Sequence, residues 1–292
     1  MSANYERTAG SRRRFDAWSV AGWIFLILLL LFTVIPMLWM LSTSFKTQLG
    51  ALRFPPRWIP DNPTLENYKL LLNPNEDVGR TFLRYMGNSL FVSTATTIIG
   101  VVVAVPAAYA FSRFRFPGKN ALFYGVLLRN MFPAVIFLIP LFIFMRNLHL
   151  VNSYWSLIIT YLTFGLPLSI WLLKGFYDNI PYQLEQAARI DGASRFQAFV
   201  RVVMPLSAPG IVATAIYSFI LAWNEYVYAL TFINDQDKLT VPVGLQRFFT
   251  EYVANWPGLM AAAFLMSVPV VVMFLVLQKY FVRALTEGAV KQ

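Results

Sequence analysis

The chain has 292 residues, of which 58% are hydrophobic and 13% are charged, and its formal net charge is +10 at pH 7. Soluble domains carry about a quarter charged residues, so these are too few to coat a water-facing surface, and the composition indicates a membrane protein. The sequence has no cysteine and one histidine, His149, which excludes disulfides and metal sites built from cysteine or from several histidines.

Six apolar stretches are each long enough for a membrane helix, because a bilayer core of roughly 30 Å needs about 20 helical residues. They lie at approximately 18–43, 85–112, 121–145, 150–174, 206–230 and 258–280. The first stretch follows the basic run Arg12–Arg14, as a signal peptide would. It exceeds the about 7–15 apolar residues of such a peptide and no small-x-small cleavage site follows, so we expect an uncleaved span.

Lys and Arg are enriched in the N-terminal tail, in the connections after the second and fourth stretches, and after the last stretch. Short basic runs between apolar stretches are typical of membrane orientation signals rather than of nucleic-acid binding. The sequence therefore predicts an all-α polytopic membrane protein with both termini inside. Its expected parts are a cytoplasmic tail at 1–17 and a single transmembrane domain at 18–292.

Two longer segments lie on the expected outer side. The segment 54–72 is rich in proline and turn residues and predicts a short helix capped by Thr64, and the segment 233–258 carries turn signals and aromatic residues. Both segments are compatible with interfacial packing and an aromatic belt, and equally with a surface for an outside partner or substrate.

The polar segment at 178–205, on the expected cytoplasmic side, begins with helix signals. Pro181 suits the first turn of a helix, because the N–H that proline lacks has no intrahelical partner there. Glu185 and Arg189 have the i, i+4 spacing of a favourable ion pair. Ala187 and Ala188 leave a face of low bulk, so that another surface can approach closely.

A second helix is predicted after a glycine. Gly192 is placed to end the first helix in a left-handed conformation. Ser194 and Gln197 have the spacing of a capping box, which begins the next helix. The pattern favours helix, glycine hinge and helix. From physical principles alone, such a hairpin packs on its own bundle or presents a surface to a partner.

The letters EQAARIDG, from Glu185 to Gly192, with Val202 and Pro205 after them, resemble the EAA motif of binding-protein-dependent ABC transporter permeases. The form AAxxDGA is similar to the sugar-transporter branch. Gln186 stands where the family usually has Glu, and Val202 and Met204 stand where it has Ile and Leu. Four further stretches resemble the same branch, the last of them the maltose-transporter-type inner permease: RFRFPGKN (113–120), NMFPAV (130–135), FILAWNEYVYALTF (219–232) and LTEGAVKQ (285–292).

The resemblance implies the type I ABC importer permease fold, with residues 178–205, here called the EAA segment, as the coupling loop to a separate ATPase. It assigns ATPase coupling to Glu185, Gln186, Ala187, Ala188, Asp191, Gly192 and Pro205. It implies a location in a bacterial or archaeal cytoplasmic membrane. The implied substrate is an α-linked disaccharide or a malto-oligosaccharide, and the alternative substrate is glycerol-3-phosphate or another polyol. The implied partners are membrane lipid, a second permease subunit, two ATP-binding subunits and an extracytoplasmic solute-binding protein. No catalytic residue, metal or cofactor is expected on this chain, which lacks a G-x-x-x-x-G-K-[ST] phosphate loop, and ATP and Mg²⁺ are expected on the partners.

Two charged residues, Arg129 and Glu225, fall inside apolar stretches, where a charge is costly and usually faces protein or a water-filled path. Arg129 either extends its charge toward the membrane surface or lies at a pathway or subunit interface. Aromatic residues near Glu225 either stack on sugar rings or form a membrane belt. The expected pathway or interface residues are Arg129, Met131, Phe132, Trp223, Asn224, Glu225, Tyr226 and Tyr228.

Two other classes of function compete with this interpretation. A secondary transporter would show paired inverted repeats and ionisable residues in several spans, and the sequence shows no convincing repeat. An intramembrane enzyme would need a nucleophile or a pair of carboxylates, and no such motif occurs.

Overall fold

The computed structural model describes the backbone of residues 17–251 and 255–289 and the side chains of residues 20–246 and 255–278. The tail expected before the first span, and the last letters of the C-terminal stretch, lie outside the described residues. Within the described ranges the secondary structure is helical. In chain order the α-helices are α1 Ala17–Ser44, α2 Gln48–Ala51, α3 Glu66–Leu72, α4 Asp77–Arg113, α5 Lys119–Leu128, α6 Leu138–Asn147, α7 Tyr154–Asp178, α8 Tyr182–Ile190, α9 Arg195–Ala198, α10 Met204–Leu206, α11 Ala208–Trp223, α12 Val227–Phe232, α13 Val241–Glu251 and α14 Trp256–Ala289.

Four of these helices, α1, α4, α7 and α14, are long and apolar enough to cross a membrane alone. Two further crossings arise only if each of two bent helix pairs counts as one span, which gives up to six. The expected helical class is confirmed. The second span is longer than expected, because α4 begins at Asp77 rather than at residue 85.

The apolar stretch at 121–145 is not one continuous helix. The helices on either side of Pro133 meet at 99°. Proline disfavours the helical conformation of the residue before it, and Phe132 accordingly has φ −93° and ψ 133°. Short 3₁₀ turns, Arg129–Met131 and Ala134–Phe137, flank this break.

The stretch expected at 206–230 is also interrupted. Helix α11 ends at Trp223 and α12 begins at Val227, so residues 224–226 form a second break. At its other end, α11 meets the preceding helical run Arg195–Leu206 at 73°.

Helices α4, α7 and α11 make the most extensive contacts in the fold, and α1 packs against α14. The described residues form three buried hydrophobic clusters, the smallest of which contains Leu71 and Phe82. The first cluster surrounds Tyr161 and Phe232, and the second surrounds Tyr109, Tyr177 and Phe199. The EAA segment packs against the bundle through the second cluster, to which Phe199 and Val203 belong.

The segment at 54–72 folds back on the end of α1. The Asn67 amide donates to the carbonyl oxygens of Ser44 at 2.9 Å and of Lys46 at 3.0 Å. The expected cap is displaced by one residue, because Leu65 precedes α3, although the Thr64 hydroxyl accepts the Glu66 N–H at 3.1 Å. Burial lowers the pKa of Lys46, whose ammonium lies 4.2 Å from the centroid of the Trp39 ring.

Candidate functional site

The first helix of the EAA segment, α8, begins at Tyr182. Pro181 is its N-cap, with φ −57° and ψ 127°, and not the first helical residue as expected. The difference is one residue. An N-cap residue has a non-helical ψ, which proline can adopt while its ring keeps φ at about −65°.

Gly192 ends α8 in the way that the sequence predicts. Its φ is +92°, in the left-handed region. The Gly192 N–H bonds to the Arg189 carbonyl at 3.2 Å and the Ala193 N–H bonds to the Ala188 carbonyl at 2.9 Å. These two bonds form a Schellman motif, which satisfies carbonyl groups at the end of the helix.

The predicted capping box is present at the next helix. The Ser194 hydroxyl accepts the Gln197 N–H at 3.2 Å, and the Gln197 side chain accepts the Ser194 N–H at 2.8 Å. A π-helical turn, Phe199–Val203, continues α9 into α10, in which Pro205 is exposed. The chain direction after Gly192 is therefore set by local hydrogen bonds.

The expected ion pair between Glu185 and Arg189 is wrong. Glu185 is 3% exposed and accepts a bond from Arg113 Nε at 2.5 Å and from the Tyr109 hydroxyl at 2.8 Å. Arg113 also donates to the Ile180 carbonyl at 2.7 Å. Residues from the end of α4 thus fasten α8 to the bundle, a role that the sequence did not predict for them.

Other residues of the EAA segment face outward. Gln186, Ala187, Asp191 and Gly192 are exposed, and Ala188 is half-buried. Two large apolar side chains beside them are also exposed: Ile190 is 85% exposed and Phe196 is 72% exposed. We call Leu184, Ile190 and Phe196 the docking patch. A rigidly capped helix with exposed apolar side chains is suited to contact another protein.

The break in the third apolar stretch contains Arg129. Its guanidinium carbon lies 3.4 Å from the centroid of the Phe164 ring, and its Nη1 donates to the Asn130 side chain at 3.0 Å. Its Nη2 is buried without a hydrogen-bond partner among the described residues. Met131 and Phe132, which follow it, are exposed. The break therefore combines an incompletely satisfied cation with an uncovered apolar turn.

Glu225, in the second break, is satisfied within the chain. Its carboxylate accepts the Tyr161 hydroxyl at 2.7 Å, the Tyr228 N–H at 2.8 Å and the Ala229 N–H at 3.1 Å. The last two bonds cap the start of α12. The Tyr228 hydroxyl in turn donates to the Ala134 carbonyl at 2.7 Å and so connects the two breaks.

The remaining expected pathway residues differ in exposure. Trp223 and Tyr228 are buried, and the Trp223 indole donates to the Met266 carbonyl at 3.2 Å, so neither ring offers a free face. Asn224 is exposed, and the hydroxyl of the half-buried Tyr226 bonds to the side chain of Gln246. Among the residues with described side chains, no group of three or more His, Cys, Asp or Glu could form a metal site.

Comparisons with known proteins agree on one family. Residues 97–287 match the family described as "Binding-protein-dependent transport system inner membrane component". The chain is 36% identical over 269 residues to the inner membrane ABC transporter permease protein YcjP of Escherichia coli, with 91% of this chain and 94% of that protein covered.

Two further relatives have named substrates. The chain is 36% identical over 285 residues to the trehalose transport system permease protein SugB of Mycobacterium tuberculosis, covering 96% and 98% of the two chains. It is 37% identical over 266 residues to the trehalose/maltose transport system permease protein MalG of Thermococcus litoralis, covering 91% and 94%.

The fold matches a solved bacterial ABC transporter involved in the import of the acidic polysaccharide alginate. The TM-score is 0.76 at 22% identity, and 90% of this chain and 96% of that chain are covered. At this level of identity the match supports the fold alone.

Proposed function

Because the chain belongs to the binding-protein-dependent transport system inner membrane components, we propose that it is a permease subunit of an ATP-driven sugar importer. Family membership and the long apolar helices make it a multi-pass membrane protein. The family match over residues 97–287, which contains the EAA segment, is the observation that carries the proposal.

The proposed substrate is an α-linked disaccharide or a malto-oligosaccharide. Support comes from relatives named for trehalose and for trehalose and maltose, which are between 36% and 37% identical over more than nine-tenths of the chain. A solute-binding protein outside the membrane would deliver the sugar, and a second permease subunit would complete the pathway.

The proposed site of ATPase coupling is the docking patch with the exposed residues Gln186, Ala187, Asp191 and Gly192. The exposure of Ile190 and Phe196 supports a protein partner at this surface, on the cytoplasmic side by the distribution of Lys and Arg. Two ATP-binding subunits would supply ATP and Mg²⁺ chemistry. Glu185 takes a different role from its exposed neighbours: it contributes to coupling by positioning α8 through the ion pair with Arg113.

The deciding experiment is reconstitution of this chain with a second permease, an ATPase and a binding protein from the same organism. We expect ATP-dependent uptake and ATPase activity stimulated by the loaded binding protein, tested with trehalose, maltose, diacetylchitobiose and glycerol-3-phosphate. Uptake by the purified chain alone without ATP would instead make it a secondary transporter. Stimulation by glycerol-3-phosphate and by no sugar would overturn the sugar assignment while retaining the coupling proposal.

A further inference from the structure

A basic cleft lies where α4 ends and α5 begins, next to the first residue of α8. Its volume is about 780 Å³. Four cationic side chains line it: Arg113, Arg115, Lys119 and Arg195. No Asp or Glu is among the described residues that line it.

The positive charge of this cleft is only partly compensated. Arg113 is paired with Glu185. The Lys119 ammonium donates to the backbone carbonyl of Phe114 at 3.0 Å. The guanidinium carbon of Arg195 lies 5.1 Å from the centroid of the Phe114 ring. Within the described part of the chain, neither these two cations nor the exposed Arg115 has a carboxylate within 4 Å. Three cations that share one cleft repel each other unless an anion joins them.

The neighbouring backbone adds to the attraction for an anion. Helix α5 begins after Gly118, which has φ +75° and provides no side-chain cap. The first turn of α5 contains no acidic residue, so nothing in it neutralises the positive end of the helix dipole. Arg115 and Lys119 also line a smaller cleft at this helix start.

The position of the cleft identifies the kind of anion. Helix α4 is a candidate membrane span that ends at Arg113, and the bent pair that begins at Lys119 is another. The short connection between them therefore lies where the hydrocarbon of a membrane gives way to its headgroups. Basic pockets between transmembrane helices at this depth bind anionic lipid headgroups. The docking patch offers apolar side chains to a protein, and none of its residues lines the cleft.

We propose that this basic cleft binds the phosphate-bearing headgroup of an anionic phospholipid in the leaflet on the side of the EAA segment. Arg115 and Lys119 contact the phosphate from the α4–α5 connection, and Tyr182 and Arg195 of the EAA segment form the facing wall. A headgroup that touches both walls stabilises the EAA segment in the position seen here. By linkage, whatever fixes the EAA segment in that position also tightens lipid binding.

The test compares lipid retention by the complete purified transporter in detergent, measured by native mass spectrometry with added phosphatidylglycerol or phosphatidylcholine. The test variant is the double substitution Arg115→Gln and Lys119→Gln. The control is Arg80→Gln with Arg146→Gln, which removes the same charge elsewhere. Arg80 lies near the opposite end of α4, about 50 Å from Arg113 by helix rise.

We expect the wild-type and control proteins to retain phosphatidylglycerol in preference to phosphatidylcholine. The test variant should bind phosphatidylglycerol about 30-fold more weakly, because each surface Lys or Arg contributes about 1 kcal/mol to an anionic headgroup. Exchanging the two cations, by Arg115→Lys with Lys119→Arg, should restore retention and so separate lost charge from lost folding.

Equal retention of phosphatidylglycerol by the test and control variants would overturn the proposal. Displacement of the lipid preference by inorganic phosphate alone would assign the cleft to a free anion. Loss of the ATPase subunits from the test variant, with lipid retention unchanged, would assign the cleft to a protein partner. Both of these results count against the lipid site, and neither affects the proposed import function.

Discussion

Replacing Glu185 with Gln should release α8 from the bundle while leaving the rest of the fold intact. The substitution keeps the side-chain shape but leaves the charge of Arg113, whose side chain is 10% exposed, without its counter-ion. Breaking a buried ion pair from one side costs about 3–5 kcal/mol. At about 1.4 kcal/mol per factor of ten, even the lower value shifts the equilibrium between attached and detached helix about 100-fold.

A helix as short as α8, with nine residues, has little stability of its own, so a loss of this size should appear as local mobility. The chain has no cysteine, so Ile190→Cys introduces a single attachment point for a spin label at an exposed position. We expect Glu185→Gln to increase the mobility of that label in the chain without its ATPase and, in the unlabelled protein that keeps Ile190, to reduce ATPase stimulation by the loaded binding protein. Gln186→Ala, which changes an exposed neighbour, is the matched control for label mobility.

A double-mutant cycle decides whether the ion pair is responsible. Arg113→Gln lies outside the EAA segment, yet it should reproduce the effect of Glu185→Gln, because each substitution removes one member of the same pair. The two substitutions together should cost less than the sum of their separate effects on stability. Two results would refute the assignment of Glu185 as the anchor. One is that the stability costs of the two substitutions are additive. The other is that Gln186→Ala raises the mobility of the label at position 190 as much as Glu185→Gln does.

At Gly192, where φ is +92° and an added Cβ would meet nothing within 4 Å, Gly192→Ala should cost about 1–2 kcal/mol through the backbone alone. It should lower stimulated ATPase activity without affecting membrane insertion, and normal stimulation would contradict this. At Gly210 an added Cβ would lie 2.4 Å from Cγ of Phe176, so Gly210→Ala should lower the stability of the detergent-solubilised protein by about 1–3 kcal/mol. Adding Phe176→Leu should recover part of that loss, and no recovery would place the strain elsewhere. Glu225→Gln weakens the bonds to the N–H groups at the start of α12, and Tyr161→Phe removes the hydroxyl that donates to the Glu225 carboxylate. Each should lower thermal stability, with uptake falling only in proportion to the folded fraction. Lost uptake at unchanged stability would instead place Glu225 in the substrate pathway.

The local hydrogen bonds of the EAA segment could be predicted from the sequence, because each depends on residues a few positions apart. The left-handed Gly192 and the capping box of Ser194 are of this kind. The partner of Glu185 could not be predicted in this way, since Arg113 precedes it by 72 positions and only the packing of α4 against the EAA segment brings the two together. The only sequence signal for this role of Arg113 was its position as a basic residue at the end of an apolar stretch.

Hydropathy located the apolar stretches but could not show that two of them are broken. An apolar turn and an apolar helix contribute equally to such a profile, and the distinction depends on backbone hydrogen bonds. Pro133 was the local signal for the first break, because the residue before a proline favours an extended conformation. The second break, at 224–226, depends on the Glu225 carboxylate, which accepts two backbone N–H groups of α12.

The departure of Gln186 from the usual family residue can now be interpreted from geometry. The acid that fastens α8 to the bundle is Glu185, which is buried, whereas Gln186 is exposed beside Ala187. The anchor is therefore complete without a charge at position 186. Any effect of glutamine there acts at the outer surface of the loop, where an exposed charge contributes at most about 1 kcal/mol to a contact. The two adjacent positions thus serve different purposes: Glu185 fixes the position of the helix through Arg113, and Gln186 forms part of its exposed face.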